Sequence, residues 1–105
     1  MMGKARSIAI DTKAFSKVGD ARIFFSEMLQ RYSMGDRVND EDAAHLTALL
    51  RRHDEEADKV GKGIAHISVG PAPDYANQRC FWITRIDGSR IDFSYQHCLE
   101  KKSYD

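Results

Sequence analysis

The chain predicts an α+β domain, because amphipathic helical patterning fills its first half and period-2 alternation its second, with an Asp87-Gly88 turn signal between two apolar runs. The expected architecture is an antiparallel sheet of three C-terminal strands plus a short N-terminal strand, with two amphipathic helices packed on one face. Its 105 residues, 42% hydrophobic and 30% charged, suit one domain with a single core. Stretches 1–6 and 100–105 are expected to be flexible tails.

Element by element, Ile8 and Ile10 alternate with Ser7, Ala9 and Asp11, which fits a short edge or half-buried strand. Asp20 can cap a helix whose apolar residues Ala21, Phe25, Met28, Leu29 and Tyr32 recur at helical spacing, with Gly35 placed to end it. A second helix starts at Asn39 or Asp40. Its early acids Glu41 and Asp42 favour the positive end of the helix dipole, its stripe is Ala43, Leu46, Leu49 and Leu50, and it should stop near His53. Asp54 can cap a further turn through Ala57 and Val60, broken by Gly61 and Gly63.

From Ile64 onward the alternation is that of strands. Ala65, Ile67 and Val69 alternate with His66 and Ser68 until Gly70-Pro71-Ala72-Pro73, which should end the ladder. Residues 79–85 and 90–98 then form a hairpin. A two-residue Asp87-Gly88 loop would scatter apolar side chains over both faces. A three-residue loop with Gly88 in the left-handed region instead sets Phe81 against Phe93 and Ile83 against Ile91, with Tyr95 on the same face. The opposite face then presents His66, Ser68, Trp82, Thr84, Asp92 and Ser94, with Arg79, Arg85 and Arg90 near the hairpin ends.

Formal net charge is zero, but it is unevenly spread: residues 1–38 carry +3, residues 39–58 carry −5 and residues 59–105 carry +2. A neutral total argues against strong non-specific binding to nucleic acid or anionic membrane and leaves room for a local basic face. No apolar stretch approaches the ~18 residues of a membrane span, and the leading residues lack a signal-peptide core, so a cytoplasmic monomer is expected. Cys80 and Cys98, without a CxxC motif, read as reduced thiols; the register keeps them too far apart to bridge.

Candidate chemistry is sparse. His66, Cys80, His97 and Cys98 are ligand types for zinc but lack the short paired spacings of structural sites, so no metal or other cofactor is expected. His66, Ser68 and Asp92 share a face without a nucleophile elbow, and Gly61-Lys62-Gly63 has the wrong order of elements for a phosphate loop. No catalytic motif emerges, and the chain is not expected to be an enzyme. What remains is a possible interface for RNA formed by Arg79, Trp82, Arg85, Arg90 and His66, with bases stacking on Trp82 and arginines meeting phosphates. The competing expectation is a protein-docking module using the acidic second helix or the Trp82 face.

Several stretches together resemble one family. Residues 21–25 (ARIFF), 49–53 (LLRRH), 59–64 (KVGKGI) and above all 79–88 (RCFWITRIDG), followed by 92–95 (DFSY) and Cys98-Leu99, are similar to the DCL-type domain, named for "defective chloroplasts and leaves". The resemblance runs over residues 7–99. One departure is Asp54, where the family pattern has proline after the helix-ending histidine. The resemblance implies a link to RNA metabolism: plant members are associated with maturation of chloroplast ribosomal RNA, and a similar domain is appended to the largest subunits of plant gene-silencing polymerases. It implies no catalytic residues.

Overall fold

Phe81, Ile83 and Phe93 must leave water together, and the register that achieves this organises the sheet. The computed structural model describes residues 6–75 and 77–100. Strands β1 (Ile8–Ile10) and β2 (Lys13–Phe15) pair with each other, and helices α1 (Val18–Gln30), α2 (Asp40–Leu50) and α3 (Glu56–Val60) follow. Then come β3 (Ile64–Pro71), β4 (Arg79–Arg85), β5 (Arg90–Phe93) and α4 (Tyr95–Leu99). The three later strands form an antiparallel sheet in the order β3-β4-β5. This is the α+β fold expected, with Phe81 opposite Phe93, Ile83 opposite Ile91, and Gly88 at φ 90° closing a three-residue loop.

The core lies between the odd-numbered face of the sheet and the helices. Phe25 and Met28 of α1, Leu46, Leu49 and Leu50 of α2, and Cys98 and Leu99 of α4 are fully buried with Ile67, Val69, Phe81, Ile83 and Phe93. Each large side chain removed from water contributes roughly 1.5–3 kcal/mol, so this shared cluster drives assembly of the layers.

Four expectations need correction. The N-terminal strand does not join the main sheet; a tight turn at Asp11-Thr12 folds it onto β2, a strand the alternation alone did not reveal. Helix α1 starts at Val18, so Asp20 sits within its first turn, near the positive end of the dipole, rather than capping it; the Val18 N–H is taken by the Arg6 carbonyl at 2.9 Å. Strand β3 continues through Gly70 and Pro71, because proline is tolerated at a strand end where its missing donor breaks no ladder. Finally, β5 stops at Phe93: Ser94 accepts from the His97 N–H at 3.3 Å and starts α4. Helical spacing, not alternation, buries Cys98 and Leu99 together.

Further hydrogen bonds tie the ends of the elements together. Asn39 caps α2 as expected, its Oδ1 accepting from the Asp42 N–H at 2.8 Å. The buried Asp42 carboxylate accepts from Arg31 at 3.0 Å and from the Tyr32 hydroxyl, which joins the end of α1 to the start of α2. At the other end, Arg6 donates to the Leu99 carbonyl and so ties the first described residue to α4. Otherwise the stretches 1–6 and 100–105 lie outside the described residues, apart from Glu100, whose carboxylate meets His97 at 3.2 Å.

Candidate functional site

The helices contact the odd-numbered face of the sheet, so the site is built from the even-numbered face. Register aligns its side chains in rows across the strands. Ser68, Trp82 and Asp92 form one row, and His66, Thr84 and Arg90 form the next. Residues 35–38 extend this face: a bridge between Arg37 and Ser68, supported by the Val69 N–H to the Asp36 carbonyl and the Val38 N–H to the Ile67 carbonyl, both 2.9 Å, adds a short fourth rung beside β3. Arg37 therefore joins the first row. Periodicity could not reveal it, because it sits in the connection between two helices.

Trp82 is held flat on this surface by small and specific neighbours. Gly70 lies directly beneath the indole; a Cβ there would stand 2.8 Å from Trp82 Cδ1. The indole N–H donates to the Pro71 carbonyl at 2.9 Å, and the Arg90 guanidinium lies 5.0 Å from the ring centroid in cation–π contact. Among the described residues, Trp82 is thus half-buried against its own sheet, with Arg90 stacked on it.

Electrostatics agree with this picture. The His66 imidazole is pushed below its usual pKa, first by burial and then by the nearby cations of Arg37 and Arg90. The positive charge of this cluster therefore rests on Arg37 and Arg90, with the imidazole beside them. At the opposite corner, burial and the Asp92 carboxylate push the Cys80 thiol up to about 11, which makes it a poor nucleophile at neutral pH.

Not every residue proposed from sequence belongs here. Trp82, Arg90 and His66 share the even-numbered face, whereas Arg79 and Arg85 have the parity of Phe81 and Ile83 and turn toward the helices. Arg79 donates to the Tyr32 carbonyl. Arg85 donates to the carbonyls of Lys59 at 3.0 Å and Asp58 at 2.8 Å and to Ser89 Oγ at 3.0 Å, fastening α3 to the hairpin. Both are structural contacts.

Other candidate constellations separate. Trp82 stands between Ser68 and Asp92 in their row, which places those two side chains two strand spacings apart, about 9–10 Å, too far for a hydrogen-bonded relay. His66 and Cys80 lie on the sheet while His97 and Cys98 lie in α4, and both cysteines are free thiols. Among the described residues no group of three or more His, Cys, Asp or Glu is arranged to hold a metal ion, and no helix is long and apolar enough to cross a membrane.

A family model described as DUF3223, protein of unknown function, matches residues 26–99. The chain belongs to this family. The DUF3223 domain is the DCL-type domain anticipated above: the chain is 41% identical over 78 residues to "Protein DCL, chloroplastic" of Solanum lycopersicum, covering 70% of this chain and 35% of that protein. The chain thus spans about a third of the length of this relative. It is also 33% identical over 69 residues to DNA-directed RNA polymerase V subunit 1 of Arabidopsis thaliana, covering 65% of this chain and 4% of the subunit. A small domain of this type is therefore found in a protein of RNA synthesis. An uncharacterized protein from Rhodospirillum rubrum, solved by solution NMR, matches with a TM-score of 0.81 and 40% identity over 92% of this chain and 91% of that one. The tomato relative is chloroplastic by name, which overturns the expectation of a cytoplasmic location. All four residues of the Trp82 cluster, Arg37, His66, Trp82 and Arg90, fall within the stretch that defines the DUF3223 domain.

Proposed function

We propose that this domain is a non-enzymatic module that binds single-stranded RNA across the even-numbered face of its sheet. The observation that carries the reading is the convergence of Arg37, His66 and Arg90 around Trp82 on a surface turned away from the helices. Arginines supply phosphate contacts, and an aromatic ring with a guanidinium stacked on it offers flat surfaces to unstacked bases. Similarity to a polymerase subunit supports an RNA setting. The rival reading is a protein-docking surface formed by the acidic start of α2 or by this same Trp82 face.

Trp82 is the chain's sole tryptophan, so its fluorescence reports on this face alone. Titration with a short single-stranded RNA should quench it saturably. With two arginines on phosphates, the log–log salt dependence should have a slope of about −1.4, and Arg37→Ala or Arg90→Ala should each reduce that slope by about 0.7. Absence of binding at low salt refutes the reading and leaves protein docking as the function to pursue.

A further inference from the structure

The Trp82 face is not uniformly basic, and its exception is informative. Asp92 sits half-buried in the row of Trp82 with no hydrogen bond or ion pair to its carboxylate among the described residues; Lys59 reaches only its backbone carbonyl, at 2.8 Å. Arg90, two residues earlier on the same face, stacks on Trp82 instead of pairing with it. An unpaired acceptor is thus held beside the aromatic ring. It also lines a cleft of about 360 Å³ at the far end of β4 and β5. Tyr75, Gln78, Cys80 and Gln96 line the same cleft, and Tyr75 is 62% exposed.

Resting on the reading of this face as a single-strand surface, the geometry points to base selectivity: the cleft receives one nucleobase, Asp92 reads its Watson–Crick edge, and guanine is preferred. A carboxylate is an acceptor with two oxygens side by side. Guanine alone among the four bases presents two adjacent donors there, N1–H and the N2 amine. Cytosine and adenine present one donor beside an acceptor, and uracil places its single N–H between two carbonyls that repel a carboxylate. The same charge repels phosphates, so it keeps the backbone toward Arg37, His66 and Arg90 and turns the bases toward the cleft. Tyr75 is placed to stack on the base that enters, and the amides of Gln78 and Gln96 can meet its remaining polar atoms.

The test is fluorescence anisotropy with labelled oligouridine and the same oligomer carrying one central guanosine, inosine, adenosine or cytidine. A bidentate contact should favour the guanosine oligomer over oligouridine by about tenfold or more. Inosine, which lacks the N2 amine, should lose most of that preference. Asp92→Asn removes a negative charge, which by itself strengthens binding to every oligomer, and also removes the guanine-specific contact, so the readout is the ratio of affinities, expected to fall toward one. The inosine comparison needs no variant and decides the matter if Asp92→Asn unfolds. Equal binding of all oligomers, or a guanosine preference that survives Asp92→Asn, overturns this inference while leaving RNA binding in place. No binding to any oligomer overturns the proposed function itself.

Discussion

Replacing Gly70 with alanine would separate the seating of Trp82 from the rest of the fold. The backbone tolerates the change, since Gly70 is not among the glycines with positive φ. The new methyl group would stand 2.8 Å from Trp82 Cδ1 and 3.0 Å from Nε1, so the indole must swing away. That movement breaks the 2.9 Å bond to the Pro71 carbonyl, a net loss of about 1 kcal/mol, and the Arg90 contact, about 0.5–1 kcal/mol. Restriction of the unfolded chain returns about 0.4–1 kcal/mol. The expected destabilisation is therefore about 1 kcal/mol, or a Tm lower by about 4–8 °C for a domain of this size. Urea unfolding followed by far-UV circular dichroism measures the first quantity. Tryptophan emission, expected to shift to the red as the ring loses its seat, reports the displacement of the indole. RNA affinity should drop with it. A Gly70→Ala protein with wild-type emission and stability would show that the indole is not held over Gly70, and the account of the site would fail with it.

Three further outcomes are expected. Arg85→Ala, which removes two hydrogen bonds between the hairpin and α3 and one within the hairpin, should destabilise the fold by about 1–3 kcal/mol while leaving the salt slope of RNA binding unchanged, the opposite of Arg37→Ala. Burial, followed by donation to Asp42, holds the Tyr32 phenol above its ordinary value of 10.0. Because the folded value is the higher one, the associated stability is complete below pH 10 and is lost as pH rises through the folded value; the most alkaline phase of the absorbance titration should vanish in Tyr32→Phe. The Cys80 thiol, pushed up to about 11, should react with iodoacetamide negligibly at neutral pH and progressively faster toward that value. Rapid neutral labelling of Cys80 would contradict its placement.

Much of the sheet could be read from residue order because alternation and one glycine over-determine it. Once Gly88 takes the left-handed position, only one register puts Phe81, Ile83, Ile91 and Phe93 on one face. The same parity argument places Arg79 and Arg85 with the core residues, yet at strand ends a long side chain can reach either way, and sequence shows charge without showing the carbonyls that capture it. Arg37 was invisible for a different reason. Its membership of the face depends on a bridge across to Ser68, a contact between segments about thirty residues apart that no local period encodes. Alternation predicts strand through residues 94–98, but a serine cap competes with strand continuation, and the partner strand runs out just there.

The Arg6 to Leu99 hydrogen bond has an architectural meaning beyond stability. It links the first described residue to the last helix, so the two ends of the described fold lie on the same side of it. A unit whose entry and exit meet can be spliced into a host polypeptide, or strung onto one, without prising apart its own layers. The relatives' proportions fit that geometry: the matched stretch makes up 35% of a plant protein and 4% of a polymerase subunit.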